Sequence, residues 1–152
     1  MCGKVDIVKD LLKRSSKSVG RKTKSPLHFA AWYGQLEAYK VISENMKDKN
    51  PKDKYGITPL HTAAYRGHFE LCQYIISNIE DKNPMDNYKI TPLHGATKEG
   101  HLNIFHLLFK HIKIEDKTMT SCNRQSFLTL ATKTRRVHNQ SSTFVMCLLR
   151  LL

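Results

Sequence analysis

Eight histidines, four cysteines and thirteen carboxylates in 152 residues are enough side chains to hold a metal or to run acid–base chemistry. Their spacing argues against both. His28, His61 and His94 stand 33 residues apart, one in each copy of Ser25-Pro26-Leu27-His28, Thr58-Pro59-Leu60-His61 and Thr91-Pro92-Leu93-His94. Successive copies packed as helices place these rings about 10 Å apart, whereas a zinc ligand lies about 2.1 Å from its ion. Structural capping is the better role for them. His101, His106 and His111 are spaced by five, which spreads them around a helix and not along one face. Cys2, Cys72, Cys122 and Cys147 are scattered without a C-x-x-C pair. There is no H-E-x-x-H, no G-x-S-x-G and no Gly-rich phosphate loop. Asp53 and Asp86 fall at repeated loop positions, where stabilising a turn outweighs proton transfer. The residues predict no catalysis, no cofactor and no metal.

The elements that carry these residues are more informative. A supersecondary unit recurring every 33 residues means a solenoid stabilised by contacts between neighbours. Eight residues after each Pro stands Gly34, Gly67 or Gly100. An apolar stripe follows: Leu36, Ala38, Val41 and Ile42, then Phe69, Leu71, Tyr74 and Ile75, then Leu102, Ile104, Leu107 and Leu108. That spacing fits one buried helical face. Thr58 suits a helix N-cap, and Pro59 the first helical position, where no N–H partner is lost. His61 falls at the third helical position, where a donor reaches back to the cap. Ala63 and Ala64 are small enough for close stacking, and Gly67 can take positive φ to end the helix. The stretches 48–57 and 81–90, rich in Asn, Asp, Lys and Pro, read as exposed loops.

The pattern T-P-L-H-x-A-A-x-x-G-H, preceded by N-x-x-D-x-x-G, resembles the ankyrin repeat over residues 25–115. The resemblance implies an all-α solenoid of stacked antiparallel helix pairs, curved, with short β-hairpin loops projecting nearly at right angles. It places Asn50, Asp53, Asn83 and Asp86 at hairpin positions. Lys89 stands where the first hairpin has Gly56, so a positive φ there would strain the second hairpin.

The expected organisation is a partial repeat and basic linker over 1–24, repeats at 25–57, 58–90 and 91–115, and a degenerate fourth repeat or irregular basic tail over 116–152. Residues 3–12 match a second helix, and residues 128–133 lie over 93–98 after a shift of two. The apolar run 144–152 is too short to span a bilayer, and a half-unit at one end with an apolar stop at the other looks like part of a longer array. Charge follows the same division. Residues 1–24 carry eight Lys/Arg against two Asp, a net +6; residues 25–115 carry a net +1; residues 116–152 carry a net +5. The basic linker reads first as a solvated segment and second as a patch for nucleic acid, acidic lipid or nuclear import. No signal-peptide pattern opens the chain, and the cysteines read as reduced thiols, so a cytoplasmic or nuclear protein is expected.

Recognition is sought at positions that differ between otherwise matching units. Just before each Gly stand Trp32-Tyr33, Tyr65-Arg66 and Lys98-Glu99, and at the loop tips Lys54 is matched by Asn87. By resemblance these line the concave helix face and the hairpin tips. Trp, Tyr and Arg are the commonest interface anchors, so Trp32, Tyr33, Tyr65 and Arg66 form the candidate hot spot. Drift at exposed sites, or packing of Trp32 under the basic linker, is the competing account. Tyr55 and Tyr88, and Ile57 and Ile90, repeat and read as hairpin packing. The function expected is a non-catalytic, monomeric scaffold or adaptor that binds another protein. Anion or nucleic-acid binding through the flanks stands second. A regulatory fragment of a larger enzyme, channel or scaffold stands third.

Overall fold

The computed structural model describes residues 24–111. They form six helices in three antiparallel pairs: α1 (Pro26–Trp32) with α2 (Leu36–Glu44), α3 (Pro59–Arg66) with α4 (Phe69–Asn78), and α5 (Pro92–Glu99) with α6 (Leu102–His111). The first helices stack on one another, α1 on α3 and α3 on α5, and α4 packs on α6. The expected partial repeat at 1–24 and degenerate repeat at 116–152 lie outside the described residues.

Close stacking follows from side-chain size. Ala30, Ala31, Ala63, Ala64 and Ala96 are buried at the contact between first helices. Leu27, Leu60 and Leu93 are buried one turn earlier, each contributing about 2–3 kcal/mol by leaving water. On the second helices the buried stripe is wider than the sequence predicts. Residues 42, 75 and 108 are buried as expected, but Tyr39, Cys72 and Phe105 are fully buried too, while Val41, Tyr74 and Leu107 are half-buried. A second helix must cover both its own partner and a neighbouring pair, so its apolar arc is broader than one i, i+3, i+4 stripe. The Tyr39 hydroxyl reaches through that layer to donate to Lys49 O at 2.6 Å, and burial raises its pKa.

The caps follow the sequence, with one correction. Ser25, Thr58 and Thr91 are extended N-caps, each followed by Pro at the start of its helix and each in a capping box with the third-position histidine. The ring accepts where a donor was expected: His61 Nδ1 takes the Thr58 N–H at 3.2 Å, and His28 and His94 do the same at Ser25 and Thr91. Nδ1 is therefore unprotonated and Nε2 carries the hydrogen. That hydrogen crosses to the next loop, from His28 to Ile57 O at 2.9 Å and from His61 to Ile90 O at 3.0 Å. Gly67 closes α3 in the left-handed region at φ 84°.

The loops between pairs turn back on themselves without strands among the described residues. Asp53 N–H bonds Ile57 O, and Asp86 N–H bonds Ile90 O, both at 2.9 Å. The Asp53 carboxylate accepts from the N–H groups of Tyr55 and Ile57, and Asp86 accepts from those of Tyr88 and Ile90, all within 2.9 Å. Both carboxylates are buried and spent on turn geometry. Lys89 stands at φ 63°, the strain its replacement of glycine predicts.

Candidate functional site

Among the described residues eight large apolar side chains are exposed, and they fall in two rows. Phe29, Trp32, Tyr33 and Tyr65 belong to the first helices. Tyr55, Met85, Tyr88 and Ile90 belong to the loop tips. Trp32, Tyr33 and Tyr65 sit at the C-terminal ends of their helices and Phe29 one turn earlier, while buried alanines take the inner positions.

On the first helices the repeat brings rings and cations together. The Arg66 guanidinium lies over the Trp32 ring, 4.5 Å from its centroid, and Lys24 Nζ lies 5.5 Å from the same ring. One unit further, Lys98 Nζ lies 5.7 Å from the Tyr65 ring. Such contacts contribute about 0.5–1 kcal/mol each at exposed sites. Interaction with the Glu99 carboxylate pushes the Tyr65 pKa up. Of the residues singled out in the sequence, Trp32 meets Arg66 and Tyr65 meets Lys98, while Tyr33 is exposed. Two accounts of Trp32 merge, since Lys24 at the end of the basic linker partly covers it while 39 % of it stays exposed.

Below this row the ends of neighbouring first helices are tied together. His68 Nε2–H donates to Trp32 O and His101 Nε2–H to Tyr65 O, both at 3.1 Å. These bonds fix the backbone that carries the exposed rings. Their sequence signal was the His that follows Gly67 and Gly100, legible as a repeat residue but not as a bridge.

The loop tips differ from expectation. Asn87 and Lys54, both read as recognition residues, meet each other: Asn87 Nδ2 donates to Lys54 O at 3.2 Å, and Asn87 N–H to Tyr55 O at 3.0 Å. Asn87 therefore holds the second tip on the first. Lys52 does likewise through Met85 O at 3.1 Å. The Lys54 ammonium is exposed over the Tyr55 ring at 4.6 Å, and the Tyr55 hydroxyl raises its pKa. Tyr88 and Ile90, expected as packing, are 70 % and 45 % exposed, because the tips join through backbone and Asn87.

Among the described residues no group of three His, Cys, Asp or Glu side chains could hold an ion. Among the same residues every buried side-chain nitrogen and oxygen has a hydrogen-bond partner. A cleft of about 430 Å³ between residues 47–52 and 78–84 sets Lys47, Lys49 and Lys52 against Asp48, Glu80 and Asp81, so its charges offset.

A family model for ankyrin repeats, in three copies, matches residues 27–121. The chain belongs to the ankyrin-repeat family. No curated protein matches it in a sequence search. Ankyrin repeats are in general protein–protein interaction modules and typically non-catalytic. Among the described residues no helix is long and apolar enough to cross a membrane.

Proposed function

We propose that this ankyrin array is a scaffold or adaptor that binds a partner protein through its first-helix face and loop tips. One observation carries the reading. Trp32, Tyr33 and Tyr65 are exposed on helices whose other faces are buried, and hydrogen bonds from His68 and His101 pin the backbone beneath them. Anchors held in place lose little entropy on docking, and Trp, Tyr and Arg dominate interface energetics. The proposed contact set is Trp32, Tyr33, Tyr65, Arg66, Lys98 and Glu99, with Lys54 at the rim and Asn87 in support. The proposed array spans residues 25–115, flanked by a partial repeat with basic linker at 1–24 and a degenerate repeat or tail at 116–152.

Site-specific photo-crosslinking tests this. A benzophenone side chain placed at Tyr33 or Tyr65 in the full chain should trap a protein in cells, and the same probe at Gln73, on the outward face of α4, should not. Trap efficiency at Gln73 equal to that at Tyr65 would refute the face. The double variant Trp32→Ala/Arg66→Ala should weaken binding of the trapped protein by about 30-fold or more, as hot-spot losses of 2 kcal/mol or more imply, with helical content intact.

A further inference from the structure

The proposed binding face carries a charge pattern that specifies its partner further, an inference that rests on that face being the interface. Lys24 and Arg66 share a single indole, and Lys98 sits one unit along over Tyr65. Among the described residues the ion pair found is Lys40 with Glu37, on α2 and away from this row. The row also carries one carboxylate, Glu99, on the same helix as Lys98. Two cations converging on one ring and a third beyond it, against the one carboxylate Glu99, leave the row positive.

Nucleic acid fits this row poorly. Bases bind such surfaces by stacking on free ring faces, and the Trp32 and Tyr65 faces already hold cations. A second copy of the chain fits poorly as well. The protein carries a net charge of +12, and its flanks are the most basic parts, so self-association or folding back of a flank sets cation against cation.

We propose that the partner docks here as an extended acidic segment. Its carboxylates pair with Lys24, Arg66 and Lys98, and apolar side chains between them cover Tyr33 and Phe29. The spacing follows from the stack. Neighbouring first helices lie about 8–10 Å apart, and an extended chain advances about 3.3 Å per residue. Acidic residues every third position therefore match successive cations. Docking replaces solvated cations over rings with carboxylate pairs beside those rings, so affinity falls as salt rises.

A displayed library of random 12-residue peptides, selected on the immobilised full chain, tests the assignment. The expected outcome is enrichment of Asp and Glu at every third position with apolar residues between. A resynthesised winner should bind at least tenfold more tightly than its Asn/Gln counterpart. It should lose that advantage on Arg66→Gln/Lys98→Gln protein of unchanged circular dichroism. Neutral or basic winners, or no enrichment, would overturn the proposal. So would competition by oligo(dT) in place of the Asn/Gln peptide, or acidic winners indifferent to Arg66→Gln/Lys98→Gln. A Trp32→Ala/Tyr65→Ala chain separates the two levels. Winners that are neutral yet need both rings leave the face standing and sink the acidic partner. Winners that need neither the rings nor the cations sink both.

Discussion

Gly67 offers the sharpest test of how neighbouring repeats hold together. Alanine at φ 84° costs about 1–2 kcal/mol for the left-handed backbone. It recovers about 0.4–1 kcal/mol by restricting the unfolded chain. Both terms apply equally at Gly100, at φ 76°. What differs is the space. A Cβ on Gly67 would lie 2.6 Å from His101 Cε1, whereas one on Gly100 meets nothing within 4 Å. His101 must swing aside, and its 3.1 Å bond to Tyr65 O goes with it. That bond is worth about 0.5–1.5 kcal/mol, and the ring's packing adds dispersion contacts. Gly67→Ala should therefore destabilise the full chain by about 1–2 kcal/mol more than Gly100→Ala. Urea unfolding at pH 8, followed by circular dichroism, measures both. In a His101→Ala background the gap should shrink to within about 0.5 kcal/mol, the scatter of independent sites. Equal costs in the parent chain, or a gap that survives without His101, would refute the bridge.

Acid should weaken the array through its capping histidines. Burial lowers the pKa of His28, His61 and His94 below the ordinary 6.5, outweighing the carbonyls that Nε2 of His28 and His61 bond and the buried Asp53 and Asp86 nearby. The unfolded chain then binds more protons, so stability is fully present above pH 6.5 and is lost as pH falls through the folded values. The slope is at most about 1.4 kcal/mol per pH unit for each ring. Unfolding midpoints at pH 7.5 and 5.5 check the sign, and a midpoint that rises on acidification would reverse it. Lys89→Gly should stabilise the chain against urea by up to about 1 kcal/mol through relief at φ 63°, while Lys89→Ala should leave its stability nearly unchanged. Cys72 is fully buried and its thiol is pushed up to about 12. It should resist a thiol reagent at pH 8 in the native chain and react on unfolding, and prompt native labelling would contradict that burial.

Much of the architecture was legible because each repeat encodes its own local geometry. Thr58, Pro59 and Gly67 mark where a helix starts and stops, and those positions needed no tertiary information. The direction of the histidine bonds was not legible. Whether Nδ1 gives or takes depends on Nε2, whose carbonyl partner lies 29 residues downstream. Asn87 looked like a free variable position, yet its partner is the backbone of Lys54, 33 residues upstream, which no side-chain comparison reveals. The candidate row was legible residue by residue, from the unmatched pairs beside each Gly. Its pairing was not, since Arg66 covers Trp32, 34 positions away, and not the ring of its own helix. A local repeat fixes what each unit is, and contacts between units depend on the rise and turn from one to the next.

The bridges between repeats keep constant offsets: 29 residues from His28 and His61 to their carbonyls, 36 from His68 and His101 to theirs, and 33 between the loop tips. Every acceptor among them is a main-chain oxygen, indifferent to which side chain that residue carries. A duplicated cassette of residues 58–90, inserted after Ile90, would thus find its histidine and Asn87 joints already made on both sides, and would lack only the Lys52 joint, whose place in the cassette is taken by Met85. The array can grow by copying its middle unit without inventing a new junction, and the unmatched residues on each copy are then free to diverge.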